Sequence, residues 1–480
     1  MTKPIAPLDL MWLVMETQAS PTHVGAMLLF EKPKGRPHVV REIVEAYREA
    51  EPSPPFSYVP ELGGAGMPCF REAASYDPDY HVTHLVLPEG SSHEDLLRLV
   101  ADLHEPMLDR GRPLFRNWLI DGLPGNRFAL YAKVHHAIID GASGTTRIYG
   151  SLSTSARRTI PTPAFAIEGP VRKPRPPKAL VDRLAELGVS ATRQTLALRD
   201  VSLGALRKGL ATVLGEDPGG SQPFSAQHAP TNETLQMARS LATLTLPLDE
   251  MRNVGRHFAA TLNDLSVTIV DEGLHRYFKE TGRAFPHRLV AMCPMSLRDE
   301  DDTEAATKAS AMFVHLGEHD AGVTERIAQV AAAMGKAKEE LRGMSKDAAM
   351  MYAVAVLGAA EVRTATHANR VTPPLANLVI SNVPGGRDRM YLNGATLLGT
   401  YPVTAIAASI GLNATLTSYH DCMDFGFLGN GATMYDLREL ARHVGEAYQE
   451  LKSAAAKRHP PRGATPRQPP RRAKKRKSRQ

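Results

Sequence analysis

The stretch RFALYAKVHHAIIDG, residues 127–141, joins a strand pattern to two adjacent histidines. Apolar residues alternate along its first part, and successive residues of a strand point to opposite faces, so His135 and His136 should diverge. One imidazole can then face a channel while the other faces packing. Gly141 permits a turn that would bring the Asp140 carboxylate back toward the histidine loop.

A histidine held in this way suits proton removal near neutral pH, because an unperturbed imidazole has a pKa of about 6.5. An alcohol needs such help to attack a thioester. The sequence contains no GxSxG elbow, which favours direct transfer over an acyl-enzyme. The residues alone also allow a core, surface or metal-binding pair. Zinc is disfavoured, because the two side chains diverge and no third ligand follows at a standard spacing.

Composition limits the class of protein. The chain has 480 residues, 43% hydrophobic and 22% charged, which excludes a disordered, collagen-like or coiled-coil protein. Three widely separated cysteines indicate neither a disulfide framework nor a thiolate zinc site. The N-terminus is a poor signal peptide, and no uninterrupted apolar run reaches about 18 residues. We therefore expect a cytoplasmic protein or one peripheral to a membrane.

A proline-rich segment divides the chain into two parts. Six prolines lie within residues 161–178, interleaved with basic residues, and they exclude a continuous helix or central strand there. Elsewhere strands and helices mix without regular βαβ alternation, which favours an α+β sandwich over a doubly wound sheet. The predicted units are an N-terminal domain at 1–160 that carries HHAIIDG, a partly helical crossover at 161–230, a C-terminal domain at 231–456 and a disordered basic tail at 457–480.

HHAIIDG has the form HHxxxDG, the signature of the CoA-dependent acyltransferases with the chloramphenicol-acetyltransferase-like fold. The rest of the chain resembles the bacterial wax ester synthase/diacylglycerol acyltransferase family, with Phe115 where tryptophan is usual and Gly386 in place of proline. Besides HHAIIDG, six segments in order carry the resemblance: PLDLMWLVMET (7–17), PLFRNWLIDGL (113–123), NDLSVTIVDEGLHRYF (263–278), CPMSLR (293–298), LVISNVPGG (378–386) and LNATLTSYHDCMDFGFLGN (412–430).

The resemblance implies two chloramphenicol-acetyltransferase-like α/β sandwich domains with a substrate tunnel at their interface. Long-chain acyl-CoA would enter as co-substrate from one side and diacylglycerol, or a fatty alcohol for wax esters, from the other, with no further cofactor and no metal. It makes His136 the general base and His135 a supporting residue. Asp140 would fix the loop through an ion pair, for which Arg298 is the candidate partner.

Two further segments have both a structural and a functional interpretation. Asn263 and Asp264 suit the N-terminus of a helix beginning at Leu265, while the resemblance places Asn263 near the reacting centre, as an orienting or oxyanion-stabilising amide. Ser381 and Asn382 end a strand and can satisfy turn backbone, while the resemblance brings them toward the site. Gly141, Asp264, Ser381 and Asn382 are the second-choice channel residues.

The positive charge of the chain is confined to its end. Residues 457–480 hold eleven Lys and Arg and no acid, so the net charge is +6 for the whole chain and −5 for residues 1–456. A solvated extension is the default interpretation of the tail. Contact with anionic lipid at a membrane or lipid-droplet surface is favoured for an enzyme with a water-insoluble acceptor. Nucleic-acid binding ranks last, because interleaved aromatic residues are lacking.

Two rival functions follow from the same motif. One is a non-catalytic member of the fold that binds lipid or CoA in the tunnel, against which the intact His136 and Asp140 argue. The other is acyl transfer to a polyketide or peptide alcohol from an acylated carrier protein. A CoA-release assay distinguishes the first rival from an acyltransferase, and competition between acyl-CoA and acylated carrier distinguishes the second.

Overall fold

The computed structural model describes residues 2–63, 67–168, 222–296, 309–406 and 409–458. Most of the predicted crossover, Arg298 and nearly all of the basic tail lie outside these residues. Two six-stranded sheets and one three-stranded sheet make up the described chain. This architecture confirms the predicted α+β class with two sheet-containing domains.

The first half of the described chain forms the body of one large sheet and the small sheet. Its strands are β1 (Thr2–Pro4), β2 (His23–Glu31), β3 (Tyr58–Glu61), β4 (Cys69–Glu72), β5 (Val82–Val86), β6 (Phe115–Leu123) and β7 (Arg127–His135), and its helices are α1 (Pro7–Met15), α2 (Val39–Glu49), α3 (Pro78–His81), α4 (His93–His104) and α5 (Gly141–Gly150).

The second half forms the other large sheet and its covering helices, with 3-10 turns at Pro230–Asn232 and Ala368–Arg370. Its strands are β8 (Arg239–Pro247), β9 (Arg288–Ser296), β10 (Ala309–Glu318), β11 (Leu378–Val383), β12 (Tyr391–Leu392), β13 (Ala395–Val403), β14 (Leu412–Tyr419) and β15 (Cys422–Asn430), and its helices are α6 (Leu248–His257), α7 (Leu262–Glu280), α8 (Val323–Arg342), α9 (Lys346–Ala365) and α10 (Leu437–Ala456).

The predicted hairpin before the histidines is present as β6 and β7. Asn126, in the turn, has φ 59°, and β7 continues to His135. On its other side β7 pairs antiparallel with β2, where His23 lies opposite His135. The predicted helix after Ser92 is also present as α4, with Ser92 and Asp95 forming a reciprocal capping box. These local signals place the histidine pair at the end of a central strand.

The second sheet has the order β10-β9-β11-β14-β15-β8. Helices α7, α8 and α10 bury its largest apolar cluster. Arg326 of α8 is fully buried among them, and its Nη1 donates to Asp271 Oδ2 of α7 over 2.9 Å. Because a buried charge is costly unless it is paired, this contact fixes the helices relative to one another.

Two strands of the second half, β12 and β13, belong to the first sheet. Strand β13 pairs antiparallel with β2, so that the first sheet has the order β12-β13-β2-β7-β6-β5. The predicted division into 1–160 and 231–456 did not anticipate this exchange, because residues 391–403 lie in one unit by sequence and in the other by hydrogen bonding. Spacing of apolar residues predicts a strand but not the sheet that it joins.

Helix α7 begins earlier than predicted. Thr261 is its N-cap, where Oγ1 accepts from the Asp264 N–H over 3.2 Å and Asp264 Oδ2 accepts from the Thr261 N–H over 2.9 Å. The expected start at Leu265, with Asn263 and Asp264 as caps, was therefore wrong. A threonine followed three residues later by an acid is a capping box, and here it decides the helix end.

The crossing of β13 over β15 leaves no room for a side chain at Gly426. A Cβ built there would lie 1.8 Å from the Pro402 carbonyl oxygen. We expect Gly426→Ala to lower the free energy of unfolding by about 3 kcal/mol or more, as overpacking against backbone does. Gly335→Ala is the matched control, because a Cβ there meets nothing within 4 Å on helix α8, and it should raise stability by about 0.5–1 kcal/mol. Denaturant unfolding measures both, and equal effects would contradict the packing argument.

Candidate active site

A cavity of about 360 Å³ lies between the two large sheets and is lined from both. Its walls are mostly apolar, and α1, α5 and α9 close it from outside the sheets. The predicted tunnel at the domain interface is thus present as a cavity. Among its lining residues are Leu8, Trp12, Met15, Phe56, Phe115, His136, Asp140, Gly141, Phe165, Met292, Ala353, Leu357, Ser381, Asn382, Thr400, Asn413, Thr415 and Thr417.

His136 follows the last residue of β7 and faces this cavity. Its ring stacks on the indole of Trp12 from α1, with centroids 4.5 Å apart and planes inclined by 26°. Nδ1 is buried and makes no hydrogen bond to the described residues, which leaves Nε2 to meet a substrate. Burial holds the pKa of His136 below its ordinary value, although the charge of Asp140 opposes this shift. The ring is therefore uncharged near pH 7 and able to accept a proton.

His135 points the other way and is fully buried, as the strand alternation predicted. Its Nδ1 accepts the main-chain N–H of Ala137 over 3.1 Å, which places the proton on Nε2. That proton faces Thr22 Oγ1 at 3.2 Å and Glu16 Oε2 at 3.4 Å. The Thr22 hydroxyl donates in turn to the Trp12 carbonyl over 2.9 Å. His135 thereby connects the loop of His136 to the helix that carries its stacking partner.

Glu16 lies at the base of this network. Its side chain is fully buried, and Oε2 accepts from Arg110 Nη2 over 3.0 Å while Oε1 accepts from the Thr22 N–H over 3.2 Å. Burial by itself would raise the pKa of Glu16, but the hydrogen bonds from His135, Arg110 and the Thr22 main chain outweigh it and keep the pKa below its ordinary value. Glu16 is therefore an ionised carboxylate under His135.

Asp140 is the N-cap of α5. Its Oδ1 accepts the Ser143 N–H over 2.8 Å, and the residue is 7% exposed at the cavity wall. Gly141 is the first helical residue and has no left-handed φ, so the predicted glycine turn was wrong: the Asp140 side chain ends the loop by capping a helix. Its pairing with Arg298 stays a prediction, because Arg298 lies outside the described residues.

The other predicted residues separate into two groups. Ser381 and Asn382 of β11 line the cavity, as the resemblance implied. Asn263 and Asp264 are not among its described lining residues. Asp264 instead completes the capping box of α7 by accepting from the Thr261 N–H, and Lys338 Nζ lies 3.8 Å from its Oδ1. An active-site role of Asn263 stays a prediction.

Sequence reasoning missed a polar strip on the cavity wall. On β14, Asn413, Thr415 and Thr417 alternate with buried apolar residues and line the cavity together. Thr415 Oγ1 donates to Asn413 Oδ1 over 2.7 Å and lies 3.2 Å from Thr404 Oγ1. The period-two pattern in LNATLTSY was the available signal. The strip gives one side of an otherwise apolar cavity hydroxyl and amide groups.

One cluster in the described chain has the ligand types for a metal ion. His287, Glu318 and Asp320 bring one ligand atom each within 4.8 Å of one another. They lie at the surface and are not lining residues of the cavity, and Glu318 is paired with Arg288. The cluster is therefore separate from the candidate active site.

Comparison with known proteins places this architecture among the acyltransferases with two sandwich domains. The family model "Wax ester synthase/diacylglycerol acyltransferase catalytic domain" matches residues 5–266, and the WS/DGAT C-terminal domain matches residues 307–452. A putative diacylglycerol O-acyltransferase of Mycobacterium tuberculosis is 32% identical, with 94% of this chain and 97% of that protein covered. The chain belongs to the wax ester synthase/diacylglycerol acyltransferase family and is an O-acyltransferase.

Solved structures agree with this assignment. The wax ester synthase/diacylglycerol acyltransferase of Marinobacter aquaeolei superposes with a TM-score of 0.74 at 26% identity, over 95% of this chain and all of that chain. The first condensation domain of the calcium-dependent antibiotic synthetase superposes with a TM-score of 0.58 at 18% identity, over 95% of this chain and 96% of that one, which shows a shared fold. The family resemblance stated from the sequence is confirmed.

Because Glu16 is buried in the network under His135, its replacement should affect turnover and stability in a way that replacement of an exposed carboxylate should not. We expect Glu16→Gln to lower kcat about tenfold and stability by about 2 kcal/mol, because it leaves Arg110 without its buried partner and loosens His135. The Michaelis constant for acyl-CoA should change little. Glu45→Gln is the matched control, since it removes a carboxylate from the exposed pair with Arg41. Steady-state thiol release and thermal unfolding measure both, and identical behaviour of the two variants would refute the positioning role.

Proposed function

We propose that this protein transfers a long-chain acyl group from acyl-CoA to the hydroxyl of diacylglycerol, with His136 as general base. The observation that carries the proposal is the placement of the His136 ring, which faces a largely apolar cavity between two domains while the adjacent His135 is sealed in a hydrogen-bonded network. The names of the relatives support diacylglycerol as the acceptor.

The chemistry requires one proton to move twice. The acceptor hydroxyl gives its proton to His136 Nε2 as its oxygen attacks the thioester carbonyl carbon, and the carbon–sulfur bond then breaks. The imidazolium returns the proton to the departing thiolate, so that an ester and a free thiol leave and His136 is neutral again. Ser310 and Ser381 line the cavity, and within the described part of the chain neither has a hydrogen bond to His136. This favours direct transfer over an acyl-enzyme.

The cavity surface suits an acceptor with apolar chains and a hydroxyl group. Apolar walls can take acyl chains. On the β14 strip, the Thr415 hydroxyl donates to Asn413 Oδ1, the Thr417 hydroxyl donates to the Val383 carbonyl and Asn413 Nδ2 donates to the Ala405 carbonyl, so the strip keeps oxygen lone pairs for a donating group such as an acceptor hydroxyl. Diacylglycerol and a fatty alcohol both have that hydroxyl. We place diacylglycerol first and wax ester formation second because of the names of the relatives.

The protein should work at the surface of a membrane or lipid droplet, because diacylglycerol is insoluble in water. The eleven basic residues of 457–480 suit an anionic lipid surface at about 1 kcal/mol per residue near it. This interpretation places the enzyme in the cytoplasm, peripheral to the inner face of the membrane or to lipid inclusions.

An acceptor panel tests the substrate assignment. With purified protein and long-chain acyl-CoA, we expect thiol release and triacylglycerol with diacylglycerol, a lower rate with a fatty alcohol and none with an amine. Thiol release that is independent of any acceptor would contradict transfer. Turnover only with an acylated carrier protein would favour the polyketide or peptide alcohol alternative, and acyl-CoA binding without turnover would indicate a non-catalytic member.

The histidine pair provides its own control. His136→Ala should reduce kcat by about 10²–10⁴-fold with little loss of stability, since it removes the base from an open cavity face. His135→Ala should instead destabilise the protein by about 2–3 kcal/mol, because it leaves the buried Thr22 and Glu16 without their partner. Thiol release and thermal unfolding separate the two effects. Near-normal turnover in folded His136→Ala would overturn the assignment.

The pH profile reports the same base. Only neutral His136 can accept a proton, and burial lowers its pKa, so kcat/KM should rise with pH to a plateau whose midpoint lies below about 6.5. Asp140→Asn keeps a capping side chain but removes the charge that opposes this shift, and it should move the midpoint to lower pH. A midpoint that moves to higher pH in this variant would contradict His136 as the titrating group.

A further inference from the structure

Helix α9 is apolar without being a core helix. Among the described residues, only its segment 348–365 is long and apolar enough, by length and composition, to cross a membrane, yet just 28% of that segment is buried. A helix that is apolar on every side is usually enclosed by protein or lipid. Most of the apolar surface of α9 is therefore not covered by the described part of the protein.

The inner side of α9 is fixed to the second domain. Ala349, Ala353 and Ala360 are buried, and Ser310 Oγ of β10 donates to the Ala349 carbonyl over 2.9 Å. Ala353 and Leu357 line the substrate cavity. Since its inner side is a wall of the active-site cavity, α9 belongs to the folded domain and lies along its surface.

The outer side of α9 is equally apolar. Ala355, Ala359 and Val362 recur at helical spacing and are exposed, Val362 to 63%. No charged residue occurs from 348 to 360. At this point one helix, with apolar side chains on its inner and outer sides, separates the cavity from the outside.

Helix α1 packs beside α9 and has the same character. Leu8, Trp12 and Met15 face the cavity, whereas Val14 is 71% exposed. The one charged residue of α1, Asp9, is buried. Together the two helices form an apolar surface, here named the α1–α9 face, which consists of the exposed Val14, Ala355, Ala359 and Val362 and the half-buried Leu10 and Met351.

Both ends of α9 carry basic residues, each with an acid beside them. Arg342 and Lys346 are exposed where α9 begins, next in sequence to Asp347, and Arg370 is exposed shortly after it ends, beyond Glu361 of the last turn. An apolar face flanked by Lys and Arg is typical of helices that lie in the plane of a phospholipid surface, with the cations at the headgroups. The basic side chains can reach anionic headgroups, while the nearby acids leave the apolar contact as the larger contribution to binding.

We infer that the α1–α9 face docks on the surface of a phospholipid bilayer. The inference rests on the proposed function, because the two helices that would touch the lipid are also the wall of the cavity that must admit a water-insoluble acceptor. Docking by this face places the bilayer against the outer side of two helices whose inner side lines the cavity of His136. Diacylglycerol could then pass from lipid to the cavity without crossing water.

Vesicle flotation of the full chain tests the inference. The probe is phosphatidylcholine vesicles with about 30 mol % phosphatidylglycerol, first at low salt and then at about 0.5 M salt, which screens the basic tail. We expect Ala355→Glu/Val362→Glu and, separately, Val14→Glu to lower the bound fraction about tenfold at high salt, since each places charge in the apolar contact.

The matched control replaces one exposed Val and one exposed Ala outside the face. Val86→Glu/Ala332→Glu adds the same charge at exposed positions on β5 and α8, and it should bind vesicles as the unaltered protein does. The face variants should keep thiol release with a dispersed short-chain alcohol but lose acylation of vesicle-embedded diacylglycerol. If no acceptor is acylated, the proposed function fails while flotation still decides the docking face.

Two results would overturn the inference. One is unchanged flotation of the folded face variants at high salt. The other is an unaltered protein that ignores vesicles and forms a dimer by light scattering, which Ala355→Glu/Val362→Glu converts to monomers, because the face would then be an interface between two copies of this chain.

Discussion

Strand β13 pairs with β2 of the first sheet although β11 and β14, the strands before and after the β12–β13 hairpin, belong to the second. Where β13 crosses β15, Gly426 lies against the Pro402 carbonyl, and Asp424 Oδ2 accepts the Thr400 N–H over 2.8 Å. Burial raises the pKa of Asp424 to about 6, against the effect of its hydrogen bonds. The crossing sets the distance between the sheets, and the cavity that holds His136 occupies the space beside it.

Successive side chains of a strand point to opposite faces, so His136 can carry the chemistry while His135 supports the loop that holds it. A general base at position 136 needs a ring held in one orientation, and the contacts that hold it begin on the opposite face of the same strand. His135 reaches Glu16 and Thr22, Thr22 holds the carbonyl of Trp12, and Trp12 stacks on His136. His135 is therefore connected to His136 twice, once through the main chain and once through these side-chain contacts.

Local chemistry made part of this site predictable. Alternation along β7 assigned different faces to His135 and His136. The motif HHxxxDG indicated the superfamily, and the six further segments in order indicated the family. The long-range pairings were not predictable, because Glu16 and Arg110 are 94 residues apart and nothing local joins them. The α7 cap was missed although Thr261 and Asp264 carry a capping box. The transfer of β13 to the other sheet depends on a tertiary contact at Gly426 that strand patterns do not encode.

The two departures from the family pattern lie at the cavity or beside it, and both involve aromatic packing. Phe115 lines the cavity and stacks between His81 at 4.5 Å and Phe165 at 5.0 Å between ring centroids, so this part of the wall is a buried aromatic layer. Gly386 is not among the described lining residues, but a Cβ there would lie 2.8 Å from Cδ1 of Tyr149, which is one of them. Tyr149 therefore occupies the space that a proline ring at position 386 would need. Because neither Phe115 nor Gly386 belongs to the network of His135 and Glu16, the support of the base is unchanged, and the effect falls on the room left for an acyl chain.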